Sequence, residues 1–352
     1  MKMEKLNFCT LFNSFYLSRG VLMYQSLEKN CADFHLYVYA FDEATYSFLK
    51  KENYKNLTVI SLKEFEDKEL LKVKPTRTAA EYCWTCASST ILYSIEKFNL
   101  NNCTYVDADM YFYSDPKVLV EEMGDNSVLI TEHRFTKEYA ESVIYGKYCV
   151  QFVTFKNDER GMKVLHWWRK ACIDWCYGRI EEGKFGDQKY LDDWTKKFDG
   201  VHELQHLGGG IAPWNLQQYN FNKNLNGKIS GKEILSGKSF EAVFFHYHGL
   251  KFYSNKVVSL AGKDYEMSND AKELFYFPYI KMLLKVKKDI LSKLPKLNSD
   301  GAIEPSPETP FTFGILVKQY FKSLKQSLSN IFGKTVLKKL KHHHYYFCEK
   351  IK

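Results

Sequence analysis

Two carboxylates stand one residue apart where a short apolar run ends. The run covers Cys103 to Val106, and the acids are Asp107 and Asp109. Side chains at i and i+2 of an extended chain share one face, so these charges repel unless a cation lies between them. Carboxylate oxygens suit hard divalent ions such as Mg²⁺ or Mn²⁺, especially beside phosphate. The pattern predicts either a metal clamp for a diphosphate or a turn with two solvated aspartates.

A second chemically informative segment lies at residues 243–251. An apolar strand leads there into His246, His248, Gly249 and Lys251. A lone histidine is usually structural, whereas two histidines at i and i+2 followed by Gly and Lys are typical of a metal ligand beside a phosphate-binding cation. Either histidine could be the ligand.

Two further segments are weaker signals. Asp187 and Gln188 precede a helical pattern, and Asp187 could simply cap that helix. The glycine-rich run from Gly208 to Asn215 could form part of a pocket wall or a plain loop.

The elements that must position these residues alternate between strands and helices. Predicted strands are Leu6–Phe12, Phe34–Ala40, Leu57–Ile60, Cys103–Val106, Ser127–Thr131 and Val150–Phe155. Predicted helices are one capped by Ser14 or Ser18, Asp42–Glu52, Arg77–Asn99, Met162–Ile180 and one that begins near Asp187. This alternation predicts a parallel sheet with helices on both faces, with ligands beyond the carboxyl ends of its strands.

Composition limits the class of protein. The 352 residues suffice for two or three structural units. The sequence contains no run of 18 apolar residues, so no membrane-spanning helix is predicted. The first residues do not have the pattern of a signal peptide. Nine cysteines without a small-domain framework indicate reduced thiols in a cytoplasm. No glycine-rich phosphate loop follows the first strand, which argues against a dinucleotide enzyme or a kinase.

Charge is concentrated at the carboxyl end. The chain has 50 basic and 42 acidic residues, and residues 311–352 hold nine lysines against one acid, so the whole excess of +8 lies there. Residues 263–297 form a basic amphipathic segment, and 298–310 are predicted to be a linker. The pattern of 311–352 predicts a basic amphipathic helix that lies on an anionic membrane, or one that packs back on the rest of the chain. No motif indicates binding to nucleic acid.

Together, the motifs resemble the GT-A-type nucleotide-sugar glycosyltransferases, in particular glycosyltransferase family 8 and its bacterial galactosyl- and glucosyltransferase relatives. In that family a strand ends in Asp-x-Asp, an Asp-Gln pair opens a later helix, and a His-x-x-Gly segment followed by Lys closes the site. The corresponding residues are Asp107-Ala-Asp109, Asp187-Gln188 and His246-Tyr-His-Gly249 with Lys251. The resemblance covers roughly residues 5 to 260. One residue, rather than the usual two, separates Gly249 from Lys251. The arginine that the family has on the helix before Asp-x-Asp has no obvious counterpart, and residues 81–85 stand in its region.

This resemblance implies an α/β fold, a Rossmann-like mixed sheet of GT-A type flanked by helices, with a helical extension at the carboxyl end. It assigns residues 1–262 to the catalytic domain. It implies that Asp107, Asp109 and His246, with His248 as the alternative, hold Mn²⁺ or Mg²⁺ together with the diphosphate of a UDP-sugar.

The remaining roles follow from the same resemblance. Lys251 and Gly249 are expected at the diphosphate, and Asp187 and Gln188 near the anomeric carbon. The nucleotide pocket is expected to involve three residues after or at the end of the first strand: Thr10, Asn13 and Tyr16.

The expected activity is transfer of a sugar from a UDP-sugar to a glycan or lipid-linked acceptor, with retention of configuration, in the synthesis of a surface polysaccharide. The protein is expected in the cytoplasm, on the inner face of the plasma membrane. Alternatives are a metal-dependent nucleotidyltransferase and a catalytically inactive, membrane-associated protein that binds nucleotides or sugars.

Overall fold

A computed structural model describes residues 5–262, 265–305 and 344–351 of the chain. Within these residues the strands, in chain order, are β1 (Leu6–Phe12), β2 (Phe34–Ala40), β3 (Leu57–Ser61), β4 (Asn102–Val106), β5 (Met110–Phe112), β6 (Val128–Glu132), β7 (Tyr148–Lys156), β8 (Val201–Glu203), β9 (Tyr219–Lys223), β10 (Ile229–Glu233), β11 (Ser239–Glu241), β12 (Phe244–His246), β13 (Lys251–Phe252), β14 (Val257–Ser259) and β15 (Tyr345–Phe347).

The helices connect these strands and flank the sheet. The α-helices are α1 (Leu17–Asn30), α2 (Glu43–Glu52), α3 (Leu62–Phe65), α4 (Lys68–Val73), α5 (Ala79–Phe98), α6 (Lys117–Glu121), α7 (Glu159–Asp174), α8 (Trp194–Lys197), α9 (Asn269–Ala271) and α10 (Phe277–Lys293). Short 3₁₀ segments are Ser14–Tyr16, Lys74–Thr76, Lys137–Tyr145, Lys189–Asp193, Leu216–Gln218 and Cys348–Lys350, and Lys272–Tyr276 is a π-helical turn before α10.

The central sheet has seven strands in the order β3-β2-β1-β4-β7-β6-β8. Strands β1 to β4 are mutually parallel, as the sequence predicts, but β7 runs antiparallel to both β4 and β6. The reversal arises because residues 133–147 join β6 directly to β7, without the crossover that a parallel pair needs. The mixed α/β sheet flanked by helices is therefore confirmed, whereas an all-parallel sheet is not.

Each face of the sheet is covered by its own hydrophobic core. Alternate side chains of β1 and β2 enter one core together with α1, α2 and α10, and the others enter a second core with α5 and α7. Both strands are buried on both faces, which explains why their sequences are nearly continuous apolar runs. Thr78 and Glu81 form a capping box that fixes the start of α5, the helix leading into β4.

Two helix boundaries differ from the sequence prediction. The cap predicted at Ser14 or Ser18 is instead Asn13, whose side chain accepts a hydrogen bond from the Phe15 amide at 3.1 Å and starts a 3₁₀ turn. Helix α7 ends at Asp174 because the backbone of Trp175 is extended, so the helix predicted to reach Ile180 is shorter.

The basic amphipathic segment predicted at 263–297 forms a helix over most of its described residues. Helix α10 turns its apolar side chains toward the core beside α1: Tyr279, Ile280, Leu283, Val286 and Ile290. Many of its lysines lie on the opposite, more exposed face.

The region after α10 corrects the linker prediction for 298–310. Over its described part, residues 298–305, the chain is packed against α1, with Ser299 and Asp300 buried. The Asp300 carboxylate is paired with Lys287 at 2.7 Å, and the Ser18 amide donates to the Ser299 carbonyl at 2.8 Å. Polar composition suggested a solvated linker, but these polar groups find partners within the fold.

The end of the chain returns to the fold, where β15 pairs with β14 in the three-stranded sheet β13-β14-β15. The helix predicted at 311–352 falls largely outside the described residues. Among the helices that are described, none is both long and apolar enough to cross a membrane.

Candidate active site

The site is built where β4 leaves the central sheet. After Val106, the Asp107 amide donates to the Gln151 carbonyl of β7 at 3.2 Å, and the Met110 amide donates to the Asp107 carbonyl at 3.3 Å. This turn places Asp107 and Asp109 at the carboxyl end of β4, and β5 then continues away from them. The position agrees with the rule that ligands of α/β sheets bind beyond the carboxyl ends of strands.

Antiparallel pairing of β5 with β12 brings His246 to these acids. His246 lies opposite Met110 in the register, and the Tyr247 amide donates to the Asp109 carbonyl at 3.0 Å. The His246 Nε2 atom is 3.1 Å from Asp109 Oδ1 and 3.7 Å from Asp107 Oδ2. One ligand atom from each of the three residues fits within a span of 4.8 Å, and they form a candidate metal-binding group among the described residues.

His246 is held in a defined orientation. Its Nδ1 atom is 2.7 Å from Gln151 Oε1, and the edge of its ring packs against the Trp214 indole at 5.5 Å between ring centroids. An Nδ1–H that donates to the Gln151 side-chain oxygen directs Nε2 at the acids. There Nε2 bears a proton while no cation is bound and can offer its lone pair to a cation that is. His248 is exposed, with its ring 5.4 Å from that of Trp214, and is not part of the three-residue group.

The surroundings of the two acids give their carboxyl groups different pKa values. Burial raises the pKa of Asp107 to about 6, a shift that the Asp109 charge strengthens and the His246 charge opposes. Burial also opposes ionisation of Asp109, but the charge and hydrogen bond of His246 outweigh it and lower the pKa to about 2. For His246, burial lowers the pKa and the Asp109 carboxylate raises it, with a net upward shift. A positive charge at this point is therefore strongly favoured.

The donor set fits a divalent cation. Two carboxylates and one oriented imidazole form a set that Mn²⁺ or Mg²⁺ accepts, with coordination positions left for phosphate oxygens and water. The side chain of Asp107 is 31% exposed and that of Asp109 14%, so the carboxylates remain open to ligand from one side.

Asp187 lies within electrostatic reach of Asp107. It is buried, and burial together with the Asp107 charge raises its pKa to about 8. Its backbone carbonyl accepts a hydrogen bond from Trp168 Nε1 at 3.0 Å, which fixes the segment against α7. Asp187 does not cap a helix, because Gln188 occupies the cap position of the following 3₁₀ segment. The Gln188 side chain donates to the Tyr145 carbonyl at 2.9 Å.

The predicted nucleotide residues are only partly brought together. Tyr16 has an exposed ring, and the Asp109 charge, burial and the Asp107 charge raise the pKa of its hydroxyl to about 12, so it lies near the acids. Asn13 is half-buried and caps the turn that carries Tyr16. Thr10 is wholly buried in β1, and its side chain presents no surface to a ligand.

The predicted diphosphate residues differ in position. Gly249 has a φ of +76°, which a glycine adopts without strain, and shapes the turn after β12. Lys251 begins β13 with its side chain exposed, and no described residue forms an ion pair with it. After His246, whose charge and hydrogen bond act most strongly, the Arg19 charge from α1 also lowers the pKa of Asp109.

Four residues at the site carry weak sequence signals. Gln151 is a polar residue inside a buried strand, a pattern that could have marked it. Trp214 lies in the segment considered as a pocket wall and contacts both histidine rings. Cys83 of α5 is near enough to Asp107 and Asp187 that, after burial, their charges raise the pKa of its thiol. Arg19 sits on a helix without any motif.

Metal binding supplies the first prediction. Wild-type protein is expected to bind Mn²⁺ more tightly as pH rises from 5 to 8, because protons must leave His246 and Asp107 first. Asp109→Ala and His246→Ala should weaken Mn²⁺ binding at least about 100-fold, and His248→Ala less than about threefold. Calorimetric titration measures this, with the exposed-carboxylate variant Asp199→Asn as control. A larger loss in His248→Ala than in His246→Ala would contradict the assignment.

The raised pKa of Asp187 predicts a dependence of stability on pH. Between its ordinary pKa of 3.8 and the folded value of about 8, the folded protein holds a proton that the unfolded chain has lost. The free energy of unfolding should therefore fall as pH rises, by up to about 1.4 kcal/mol per pH unit, and level off above pH 8. Asp187→Asn cannot titrate, so its melting temperature should gain on wild type from pH 5 to 8.

The measurement is thermal unfolding with a chelator present, and Asp193→Asn, an exposed acid nearby, is the control. Parallel pH profiles for wild type and Asp187→Asn would show that the carboxyl of Asp187 has an ordinary pKa.

Comparison with known proteins gives close relatives in sequence. No protein-family model matches the chain. It is 30% identical over 319 residues to YfnD of Bacillus subtilis, an uncharacterized protein, covering 88% of this chain and 99% of YfnD. It is 32% identical over 256 residues to the uncharacterized YfnF of the same organism, covering 70% of this chain and 82% of YfnF.

Solved structures with some similarity are described as glycosyltransferases. GlyE of Streptococcus pneumoniae has a TM-score of 0.37 at 13% identity, over 58% of this chain and about half (48%) of GlyE. Mouse xyloside xylosyltransferase 1 has a TM-score of 0.40 at 11% identity, over 59% of this chain and 87% of that one. An active-site mutant of LgtC has a TM-score of 0.43 at 12% identity, over 70% and 88%.

These structural likenesses are all below a TM-score of 0.5, so the chemistry of this chain has to be inferred from its own side chains. The sequence relationship is much stronger and extends over nearly the whole of YfnD. The chain therefore belongs to the protein family that includes YfnD and YfnF of Bacillus subtilis.

Proposed function

We propose that this protein is a metal-dependent glycosyltransferase that moves a sugar from a UDP-sugar to a hydroxyl group of an acceptor. The observation that carries the proposal is the convergence of Asp107, Asp109 and His246, residues far apart in sequence, on one partly open cation site. Asp187 and Tyr16 adjoin that site, as expected for the sugar and nucleotide ends of such a donor.

Asp107, Asp109 and His246 would hold Mn²⁺ or Mg²⁺. When bound, the ion would neutralise charge on the diphosphate as it departs, without any proton transfer. The part played by the chain is to orient the ligands, and Gln151 does this for the His246 ring at 2.7 Å.

Asp187 favours a retaining reaction. Its pKa of about 8 keeps the carboxyl largely protonated at neutral pH while Asp107 is charged, so it would donate a hydrogen bond to the sugar rather than abstract a proton. A bond then forms between the acceptor oxygen and the anomeric carbon on the face from which UDP leaves. The carbon–oxygen bond to UDP breaks, and the acceptor proton passes to the departing phosphate oxygen.

Tyr16 is the residue we assign to the nucleotide base. The residue is 42% exposed and lies close to the acids. The Arg19 guanidinium packs on its ring, with the guanidinium carbon 4.7 Å from the ring centroid. An exposed aromatic face held in place can stack on uracil. Asn13 would fix the turn that presents this ring.

The acceptor we propose is a glycan or a lipid-linked sugar of a surface polysaccharide. Support comes from the charge of residues 311–352, nine lysines against one acid, which would hold the enzyme to the anionic inner face of the plasma membrane.

Turnover tests the enzymatic proposal. Purified protein is expected to release UDP from at least one UDP-sugar in the presence of Mn²⁺, and Asp109→Ala should lose at least about 100-fold in rate because the cation site is broken. Asp199→Asn should match wild type. Release of pyrophosphate instead of UDP would indicate a nucleotidyltransferase, and no release with any donor would indicate a binding protein.

The anomeric configuration of the product tests the stereochemistry. NMR of the first glycoside formed should show the same anomer as the donor. An inverted product would require a carboxylate base on the opposite face and would overturn the role given to Asp187.

Membrane association is tested by charge rather than by deletion, because a deletion would also remove Tyr345–Phe347, which pair with β14. Full-length protein should sediment with vesicles containing phosphatidylserine. The variant replaces seven lysines by glutamine: Lys318, Lys322, Lys325, Lys334, Lys338, Lys339 and Lys341. It should not sediment with these vesicles, since each lysine near the surface contributes on the order of 1 kcal/mol to binding. Neutral vesicles are the control. Equal sedimentation of the two proteins would refute the membrane role.

A further inference from the structure

A buried guanidinium connects three distant parts of the chain. Arg19 is only 4% exposed, and no described carboxylate lies within ion-pair distance of it. It donates to the carbonyl oxygens of Asp300 at 2.8 Å, Leu250 at 3.0 Å and Phe15 at 3.4 Å. Burying an unpaired charge is costly unless its hydrogen bonds are made, so these contacts are what keep Arg19 in place.

Two of the connected parts belong to the donor side of the site. The guanidinium carbon lies 4.7 Å from the centroid of the Tyr16 ring, the residue assigned to the base. Leu250 stands between Gly249 and Lys251, in the turn that joins the strand of His246 to β13. Arg19 therefore contacts both the ring that would stack on the nucleotide and the turn after β12.

The third part is the turn at residues 299–301, which follows α10. Ser18 binds Ser299 twice, through its amide to the carbonyl at 2.8 Å and between the hydroxyls at 2.9 Å. The Asp300 carboxylate, with its side chain 1% exposed, is paired with Lys287 of α10 at 2.7 Å. This turn is thus anchored on both sides.

Gly301 shows how closely the turn fits. Its φ is +66°, and a Cβ atom at this position would lie 3.0 Å from the Phe15 carbonyl oxygen. That carbonyl also accepts a hydrogen bond from Arg19. Any side chain here would push the turn away from residues 15–19 and would be strained in this backbone conformation.

We propose that Arg19 is a positioning residue for the donor nucleotide, and that the turn at 299–301 is a structural part of the nucleotide site although it lies far from the sequence motifs. The proposal rests on the proposed function. Removing the guanidinium leaves the Leu250 and Asp300 carbonyls without their donor and the Tyr16 ring without its support. Nucleotide binding should then weaken while the cation site, built from β4 and β12, is retained.

Lysine is the informative conservative replacement. Arg19→Lys keeps a positive charge near the Tyr16 ring, but an ammonium group cannot reproduce the planar fork that reaches the carbonyls of Leu250 and Asp300 together. Its nucleotide affinity should fall between those of wild type and Arg19→Ala.

The experiment measures two affinities by calorimetry on the full chain, first for Mn²⁺ alone and then for UDP in saturating Mn²⁺. Arg19→Ala should bind Mn²⁺ as tightly as wild type or tighter, because a positive charge near Asp109 is gone. It should bind UDP at least about tenfold more weakly, the effect of losing hydrogen bonds from a charged donor. In turnover with a donor sugar, KM should rise more than kcat falls.

Gly301→Ala tests the distant turn without touching Arg19. Its matched control is Gly124→Ala, which places a side chain at a comparable φ of +52° but with no atom within 4 Å of the new Cβ. UDP binding should weaken about threefold or more in Gly301→Ala and stay at the wild-type value in Gly124→Ala. This pair decides the question even if Arg19→Ala does not fold.

The outcomes distinguish failure of the proposed function from failure of the positioning role given to Arg19 and the turn at 299–301. If wild-type protein with Mn²⁺ does not bind UDP, the proposed function fails and this inference with it. If wild type binds UDP and both Arg19→Ala and Gly301→Ala bind it as tightly as wild type does, only the positioning role is overturned. A parallel loss of Mn²⁺ and UDP affinity in Arg19→Ala would also overturn it, because the residue would then support the whole site.

Discussion

Repulsion between two neighbouring carboxylates is the constraint on which the site depends. Asp107 and Asp109 are partly withdrawn from water, so a positive charge beside them is needed to keep both ionised. The chain supplies His246 through a three-residue pairing of β5 with β12, outside the central sheet. Because that pairing is short, the hydrogen bond that His246 Nδ1 donates to the Gln151 side-chain oxygen and the packing of Trp214 hold the imidazole in place.

A second positive charge near the acids comes from a residue that also connects distant parts of the fold. Arg19 contributes to the field at Asp109 from α1, while its hydrogen bonds run to the backbone of two later segments. Lys251, which the motif favours, is exposed instead. A buried helix residue with no recognisable motif thus lies within electrostatic reach of Asp109, while the role predicted for Lys251 at a diphosphate stays a prediction.

Much of the fold could be predicted from the sequence because its first strands are buried on both faces. Where a continuous apolar run is bounded by polar turns, the first and last residues of the strand are evident from the sequence. Strands β1 and β2 therefore begin and end where predicted. The direction of β7 could not be predicted in this way, since hydrophobic pattern is the same for parallel and antiparallel neighbours. The burial of Ser299 and Asp300 could not be predicted, because polar residues with specific partners have the same composition as solvated ones.

Some residues of the candidate site could likewise be predicted from the sequence and others could not. Asp107, Asp109 and His246 could be selected because residue type and spacing reflect ligand chemistry directly. The sequence leaves His246 and His248 as alternatives. The structure brings His246 into the group with Asp107 and Asp109 and leaves His248 exposed. Gln151 and Arg19 act through contacts with residues remote in sequence, and no local pattern encodes such contacts.

The return of Tyr345–Phe347 to pair with β14 has a consequence for the small sheet that these residues complete. In a sheet of β13 and β14 alone, one edge of β14 would present unpaired backbone groups to another chain. Strand β15 covers that edge, and the Cys348 amide next to it donates to the Lys256 carbonyl at 2.9 Å. The free edge of β14 is thereby closed to pairing with a neighbouring molecule.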